Sequence, residues 1–296
     1  LWFTVKWRPR FIFSWQRLKG LLNYGWKLLA SALLGALYDD LRTLIIGKVY
    51  STSDLAYYSK GQQFPSLIMN NVNVAVSSVF FSALSKIQDE PNRLAAANRK
   101  FVQMLCGVLA PLMFGLAALG EPLVEILLTE KWLPCVPFLR ICCMYYLISS
   151  VYNAYLQSFK AVGKSGFSLG MEIVDDIIGI LLVIAFFRVS VMAVAWVTII
   201  SRTVACILTI VVNAHLFHIS LVIQWRDILG PVGAAFAMAI IVLLVGKLVP
   251  DPVLGIVLQI VVGMISYAVI ALALKLPIAQ QMISWLKKNR ANQAQN

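Results

Sequence analysis

Charge is scarce in this sequence. Only 13% of its 296 residues are Asp, Glu, Lys or Arg, 60% are hydrophobic, and the mean hydropathy is +0.82. A water-soluble fold of this length needs far more polar surface, so ordinary soluble domains are excluded. Histidine is scarcer still: His215 and His218 stand three apart with no acidic residue between them, which falls short of a metal site's ligand set. The five cysteines (Cys106, Cys135, Cys142, Cys143, Cys206) form no CxxC pair and mostly fall in apolar runs, where a thiol acts as a small hydrophobe, so no disulfide framework is expected. Gly163-Lys164-Ser165 imitates the end of a phosphate-binding loop, but Ser158 stands where that pattern needs glycine. No enzyme, cofactor or metal site is therefore expected. The first twenty residues lack a signal-peptide cleavage site, and a chain opening at Leu1 is expected to be part of something longer.

What the sequence does have is apolar runs of bilayer length. About 20 residues at 1.5 Å rise cross the hydrocarbon, and only a helix satisfies its backbone there. Such runs cover about residues 21–46, 64–84, 101–119, 137–159, 167–187, 192–213, 228–249 and 253–276. The expected fold class is thus an all-α integral membrane protein with about eight transmembrane helices. Residues 1–19 mix Trp2, Phe3, Trp7, Phe11, Phe13 and Trp15 with Lys6, Arg8, Arg10, Arg17 and Lys19, the signature of an interfacial approach segment. Residues 50–61 and 121–134 are expected to be connections, and 277–296 a polar tail.

The net charge of +12 would suit a nucleic-acid partner, but the cations collect between the apolar runs, which is a topology signal instead. With the N-terminus in the cytoplasm, about 15 cations lie on that side. Only Lys48, Lys60, Lys131, Arg188 and Lys247 lie opposite. Both termini are expected in the cytoplasm, with no nucleic-acid partner.

Ionisable residues inside the spans are costly and usually face a bundle interior or a cavity. They are Lys27, Asp39, Asp40 and Arg42 in the first span, Arg140 in the fourth, Glu172, Asp175 and Asp176 in the fifth, and Arg202 in the sixth. Structural pairing and a role in transport are both open for them. Asn70, Asn73 and Ser77 share one face of the second span, with Gln62 and Gln63 above; such a row suits hydroxyl-rich ligands, or simply glues helices together. The tight turn at Arg188–Val191 makes the fifth and sixth spans an antiparallel hairpin. Asp176 and Arg202 each lie about 13 residues, roughly 20 Å, from it. A bridge from Arg202 to the acidic cluster is expected there, with Asp176 favoured.

Several short motifs, in order, resemble the polysaccharide and O-antigen flippases of the multidrug/oligosaccharidyl-lipid/polysaccharide exporter superfamily. They are Asp40 with Leu44-Ile45-Ile46-Gly47-Lys48, Leu55-Ala56-Tyr57-Tyr58-Ser59-Lys60, and Phe81-Ser82-Ala83-Leu84-Ser85-Lys86-Ile87-Gln88. Ala110-Pro111-Leu112, Lys131-Trp132 and Ala161-Val162-Gly163-Lys164 follow. Ala56 and Ser82 depart from the family's frequent Gly and Pro. The resemblance implies a two-lobed exporter of which this chain is the C-terminal lobe (residues 20–218) plus two extra helices (residues 219–276), with an N-terminal lobe missing. It implies a flippase that moves undecaprenyl-pyrophosphate-linked oligosaccharide repeat units across the bacterial inner membrane by alternating access. The partners would be that lipid-linked oligosaccharide, membrane lipid and a polysaccharide polymerase complex. Arg42, Arg140 and Arg202 would then receive pyrophosphate, and Asn70, Asn73 and Ser77 the sugars. Asp39, Asp40, Glu172, Asp175 and Asp176 are candidates for coupling or ion pairing. The alternatives are a cation-coupled drug antiporter, using Glu172, Asp175 and Asp176, and a non-transporting scaffold of a glycan polymerase complex.

Overall fold

The computed structural model describes residues 13–85, 91–249 and 252–277; within these, the side chains at 17, 23–24, 27–28, 31, 39, 73–85, 91–92 and 252 lie outside the description. Among the described residues the regular secondary structure is all helical, with no strand. Eight α-helices follow one another: α1 (Trp15–Val49), α2 (Thr52–Ser85), α3 (Pro91–Leu128), α4 (Val136–Ala161), α5 (Ser165–Phe186), α6 (Val191–Phe217), α7 (Leu221–Leu248) and α8 (Pro252–Ala273). A short 3-10 helix, Glu130–Cys135, joins α3 to α4. Five stretches are long and apolar enough to cross a membrane by length and composition: α3, α4 with its 3-10 lead-in, α6, α7 and α8. In α5 the three carboxylates Glu172, Asp175 and Asp176 interrupt the apolar run.

Local chemistry sets the helix ends. Ser51 and Asp54 form a reciprocal cap, with the Asp54 backbone N–H donating to Ser51 Oγ (3.1 Å) and the Ser51 N–H to Asp54 Oδ2 (3.2 Å). Helix α2 therefore starts at Thr52, and most of the connection expected at 50–61 is helical. Likewise α3 runs on to Leu128 past Pro111 and Pro122, so the expected 121–134 connection is a helix end plus the 3-10 turn. An apolar run marks what lies in hydrocarbon, not where hydrogen bonding stops. Pro137 sits in the first turn of α4, and Ser190 caps α6 by accepting from the Ala193 N–H at 3.0 Å. Gly163 at φ 74° and His218 at φ 52° end α4 and α6 in the left-handed region.

Helix α4 is the central element, packed against α2, α3 and α6. Its Leu139, Tyr152 and Phe159 are fully buried with Leu109 of α3 and Ile210 of α6. Helix α1 lies on α5, where Gly179 leaves room for Tyr38: a Cβ there would stand 2.7 Å from the phenol. Helix α7 lies along α3, and α8 closes over both. Gln259 of α8 donates to the Val242 carbonyl (3.0 Å) and Tyr267 to that of Gly107 (2.7 Å), so the polar groups of this apolar helix are satisfied internally. Large apolar side chains on the outside, such as Leu29, Leu33, Ile184 and Leu254, give the surface a hydrocarbon solvent would match.

Candidate substrate-binding site

At mid-depth five helices bring cations and tyrosines together. Arg202 of α6 pairs with Asp175 of α5 at 2.9 Å; the two side chains are 15% and 5% exposed, so the pair is shielded from water. Ser201 also donates to Asp175 Oδ1 (2.9 Å) and to the Asp175 carbonyl (3.1 Å). The bridge expected from Arg202 to the acidic cluster is therefore present. It runs to Asp175, where the sequence favoured Asp176. One residue turns a helix by about 100°, so a depth estimate accurate to one residue still leaves the face open.

The Arg202 guanidinium donates to the Tyr145 hydroxyl at 3.0 Å and lies over the rings of Tyr145 and Tyr152, 5.4 and 4.8 Å from their centroids. Arg42 of α1, itself buried, lies over Tyr38 and Tyr58 at 5.6 and 5.9 Å. Tyr38 stands within electrostatic reach of Arg42, Tyr145, Asp175 and Arg202 together. Two guanidiniums thus share one tyrosine-lined layer, Arg202 with Asp175 as its counter-ion. Gln62 of α2 extends the layer by donating to the Tyr146 hydroxyl at 3.0 Å.

Other expected residues fall elsewhere. Arg140 is half-exposed and faces α3, donating to the Ala117 carbonyl at 3.2 Å and lying 3.7 Å from Glu121. It precedes Tyr145 by five positions, about 140° round the helix, which turns it out of the layer. Glu172 pairs with Lys160 at 3.0 Å beside the α4–α5 turn. Asp176 is buried, whereas Asp40 and Asn70 are exposed. The side chains of Asp39, Asn73 and Ser77 lie outside the described residues. Reasoning from sequence missed Tyr38, Tyr145, Tyr152 and Ser201; the signals were Tyr38 four before Arg42 and Tyr145 seven before Tyr152, each pair on one face.

It also missed a second polar layer near the α4–α5 and α6–α7 connections. Arg99 of α3 grips Asp227 of α7 through two hydrogen bonds, 2.7 and 3.1 Å, and Gln103 donates to the same carboxylate. Beside it Ser158 donates to Asn98, Asn98 to Asn213 and Asn213 to Gln224, at 3.0, 2.9 and 2.8 Å. Four helices are stitched together with their buried amides satisfied.

Residues 1–137 match the family model described as polysaccharide biosynthesis protein. Over 240 residues the chain is 24% identical to the teichuronic acid biosynthesis protein TuaB of Bacillus subtilis (strain 168), covering 81% of this chain and 50% of TuaB. It is 27% identical over 164 residues to the succinoglycan biosynthesis transport protein ExoT of Rhizobium meliloti (strain 1021), 55% of this chain and 33% of ExoT. The lipopolysaccharide biosynthesis protein WzxC of Escherichia coli (strain K12) is 25% identical over 146 residues, 49% of this chain and 30% of WzxC. These matches bear out the resemblance read from the sequence. The fold is that of the lipid II flippase MurJ in its inward closed conformation, with a TM-score of 0.69 at 16% identity over 88% of this chain and 56% of MurJ. The chain spans half or less of the length of these sequence relatives. It is a multi-pass α-helical membrane protein.

Proposed function

We propose, for a chain whose fold resembles that of MurJ and whose sequence is similar to polysaccharide biosynthesis proteins, that it moves lipid-linked oligosaccharide across the bacterial inner membrane by alternating access. The carrying observation is the layer that holds Arg202 and Arg42 among tyrosines at mid-depth. Such a lipid places an anionic pyrophosphate between a greasy tail and a hydroxyl-rich head. The arginines meet the first, the apolar outer face borders the second, and polar groups along α2 receive the third. In this reading α1, α2 and α5 also cross the bilayer, with their charges turned to partners and the cavity, and both termini face the cytoplasm. Helices α1–α6 (residues 20–218) form one lobe, α7 and α8 (residues 219–276) are additions to it, and a second lobe of six helices completes the cavity on the exposed polar face of α2. The drug antiporter is disfavoured because Asp175 is held by Arg202 and Ser201, and Glu172 by Lys160, which ties these carboxylates into structure.

Deleting the gene should leave lipid-linked glycan on the cytoplasmic leaflet, and the wild-type gene, but not one carrying Arg202→Ala, should restore export. Drug hypersensitivity with normal glycan export would replace this reading with the antiporter. Normal translocation with loss only of complex assembly would replace it with the scaffold.

A further inference from the structure

A concavity lies toward one end of the lobe, where α1 turns into α2 and α3 into α4. It has a volume of about 440 Å³, within the range of about 300–1,000 Å³ usual for ligand sites. Its lining is Ala56, Ser59, Lys60, Gln62, Gln63 and Ser66 of α2, and Trp132 of the 3-10 turn. Its two walls are clamped together at Gly61: a Cβ there would stand 2.7 to 2.9 Å from Phe138 Cβ, Leu139 N and Cys135 O, so α2 meets the start of α4 backbone to backbone. Tyr57 abuts the Trp132 indole edge-on at 6.0 Å and fixes its orientation. Lys60 lies 5.7 Å from the indole centroid and donates to Gln63 Oε1 at 3.0 Å.

An oriented indole bordered by two amides, two hydroxyls and one ammonium matches the surface of a sugar ring, which has an apolar C–H face and a rim of donors and acceptors. We infer that this pocket is a saccharide subsite, with Trp132 as the platform for a ring face and Ser59, Gln62, Gln63, Ser66 and Lys60 as partners for its hydroxyls. Two connections place it on the substrate's path. Gln62 lines the pocket and also donates to Tyr146, whose ring lies 5.3 Å from that of Tyr145, the phenol to which Arg202 donates. Ser59, Gln63, Ser66 and Asn70 follow at offsets of four, three and four, one polar seam down α2 on which positions 73 and 77 keep the register. A headgroup anchored at the arginines would lay its sugars along that seam toward Trp132. The inference rests on the flippase reading for the source of the sugar.

The test is saturation-transfer NMR on the purified protein in detergent micelles, with free cellotetraose, chitotetraose and tetragalacturonate as probes. None carries lipid or pyrophosphate, so the outcome is independent of whether the protein transports. At least one should receive transfer at its ring protons, and Trp132→Ala and Gln63→Ala should each weaken that binding about tenfold or more. Gln63 is exposed, so Q63A keeps the test decisive even where W132A unfolds. Transfer to none of the three probes, or binding unchanged in Q63A, would overturn the subsite.

Discussion

Arg202 carries its charge where an unpaired one would cost several kcal/mol, and Asp175 at 2.9 Å is what makes the position tolerable. Removing one partner leaves the other's charge buried without its counter-ion. Asp175→Ala is therefore expected to destabilise the protein by about 3–5 kcal/mol in denaturant unfolding in detergent. Changing Arg202→Met as well should recover much of the loss, with a coupling above about 1 kcal/mol in the double-mutant cycle; additive losses would mean the pair contributes nothing. From the sequence the cluster was legible to within one residue, because a hairpin turn fixes depth. Which of two adjacent carboxylates faced the arginine depends on the relative roll of α5 and α6, which only packing decides. The tyrosines went unread because an aromatic inside an apolar run looks like core until a guanidinium is found against it.

At the scale of elements, the contact of α2 with α4 depends on one missing side chain. The atoms around the Cβ position of Gly61 include backbone N and O, which cannot rotate away. Gly61→Ala should therefore separate the helices and cost about 1–3 kcal/mol, read as a lower Tm; Gly166→Ala, with open space at its Cβ position, is the neutral control. An unchanged Tm in Gly61→Ala would show that the helices do not meet there. The tie of α7 to α3 is weaker, because Arg99 is 37% exposed and solvent screens its pair with Asp227. Asp227→Ala should cost about 1–2 kcal/mol and loosen α7, seen as faster amide exchange around residues 221–230. Protection unchanged in that segment would mean other contacts hold α7. The all-helical, membrane-crossing character was legible from the apolar runs, but helix length was not. The cap at Ser51 and Asp54 sits among polar residues that read as a loop, and buried Asp227 stands beside Arg226 at a helix start, which reads as surface.

Across the whole molecule the polar groups fall into layers. The Asn98–Asn213–Gln224 chain and the Arg99–Asp227 pair sit where α4 turns into α5 and α6 into α7. The opposite end is pinned by the Tyr50 hydroxyl donating to the Phe187 carbonyl at 2.6 Å, which joins the α1–α2 turn to the α5–α6 turn. Between the two ends lie the arginines. This layering follows from the solvent: hydrocarbon drives each polar side chain either to an end or to an internal partner. Cations obey the same rule with a direction added, since positively charged connections are retained in the cytoplasm. On the orientation expected from the sequence, about 15 fall on the side of the α4–α5 and α6–α7 connections, against five on the other. Reporters fused after Lys164 and after Ser220 should accordingly be active only as cytoplasmic reporters, and those fused after Ser53 and after Ser190 only as external ones. Moving the excess should move the topology. Neutralising Lys160 and Lys164 while adding lysines beside Arg188 should yield a mixed population in which part of the α5–α6 hairpin is inverted. A fusion at Lys164 that is active outside the cytoplasm in the unmodified protein would overturn the orientation and turn the arginine layer toward the opposite leaflet.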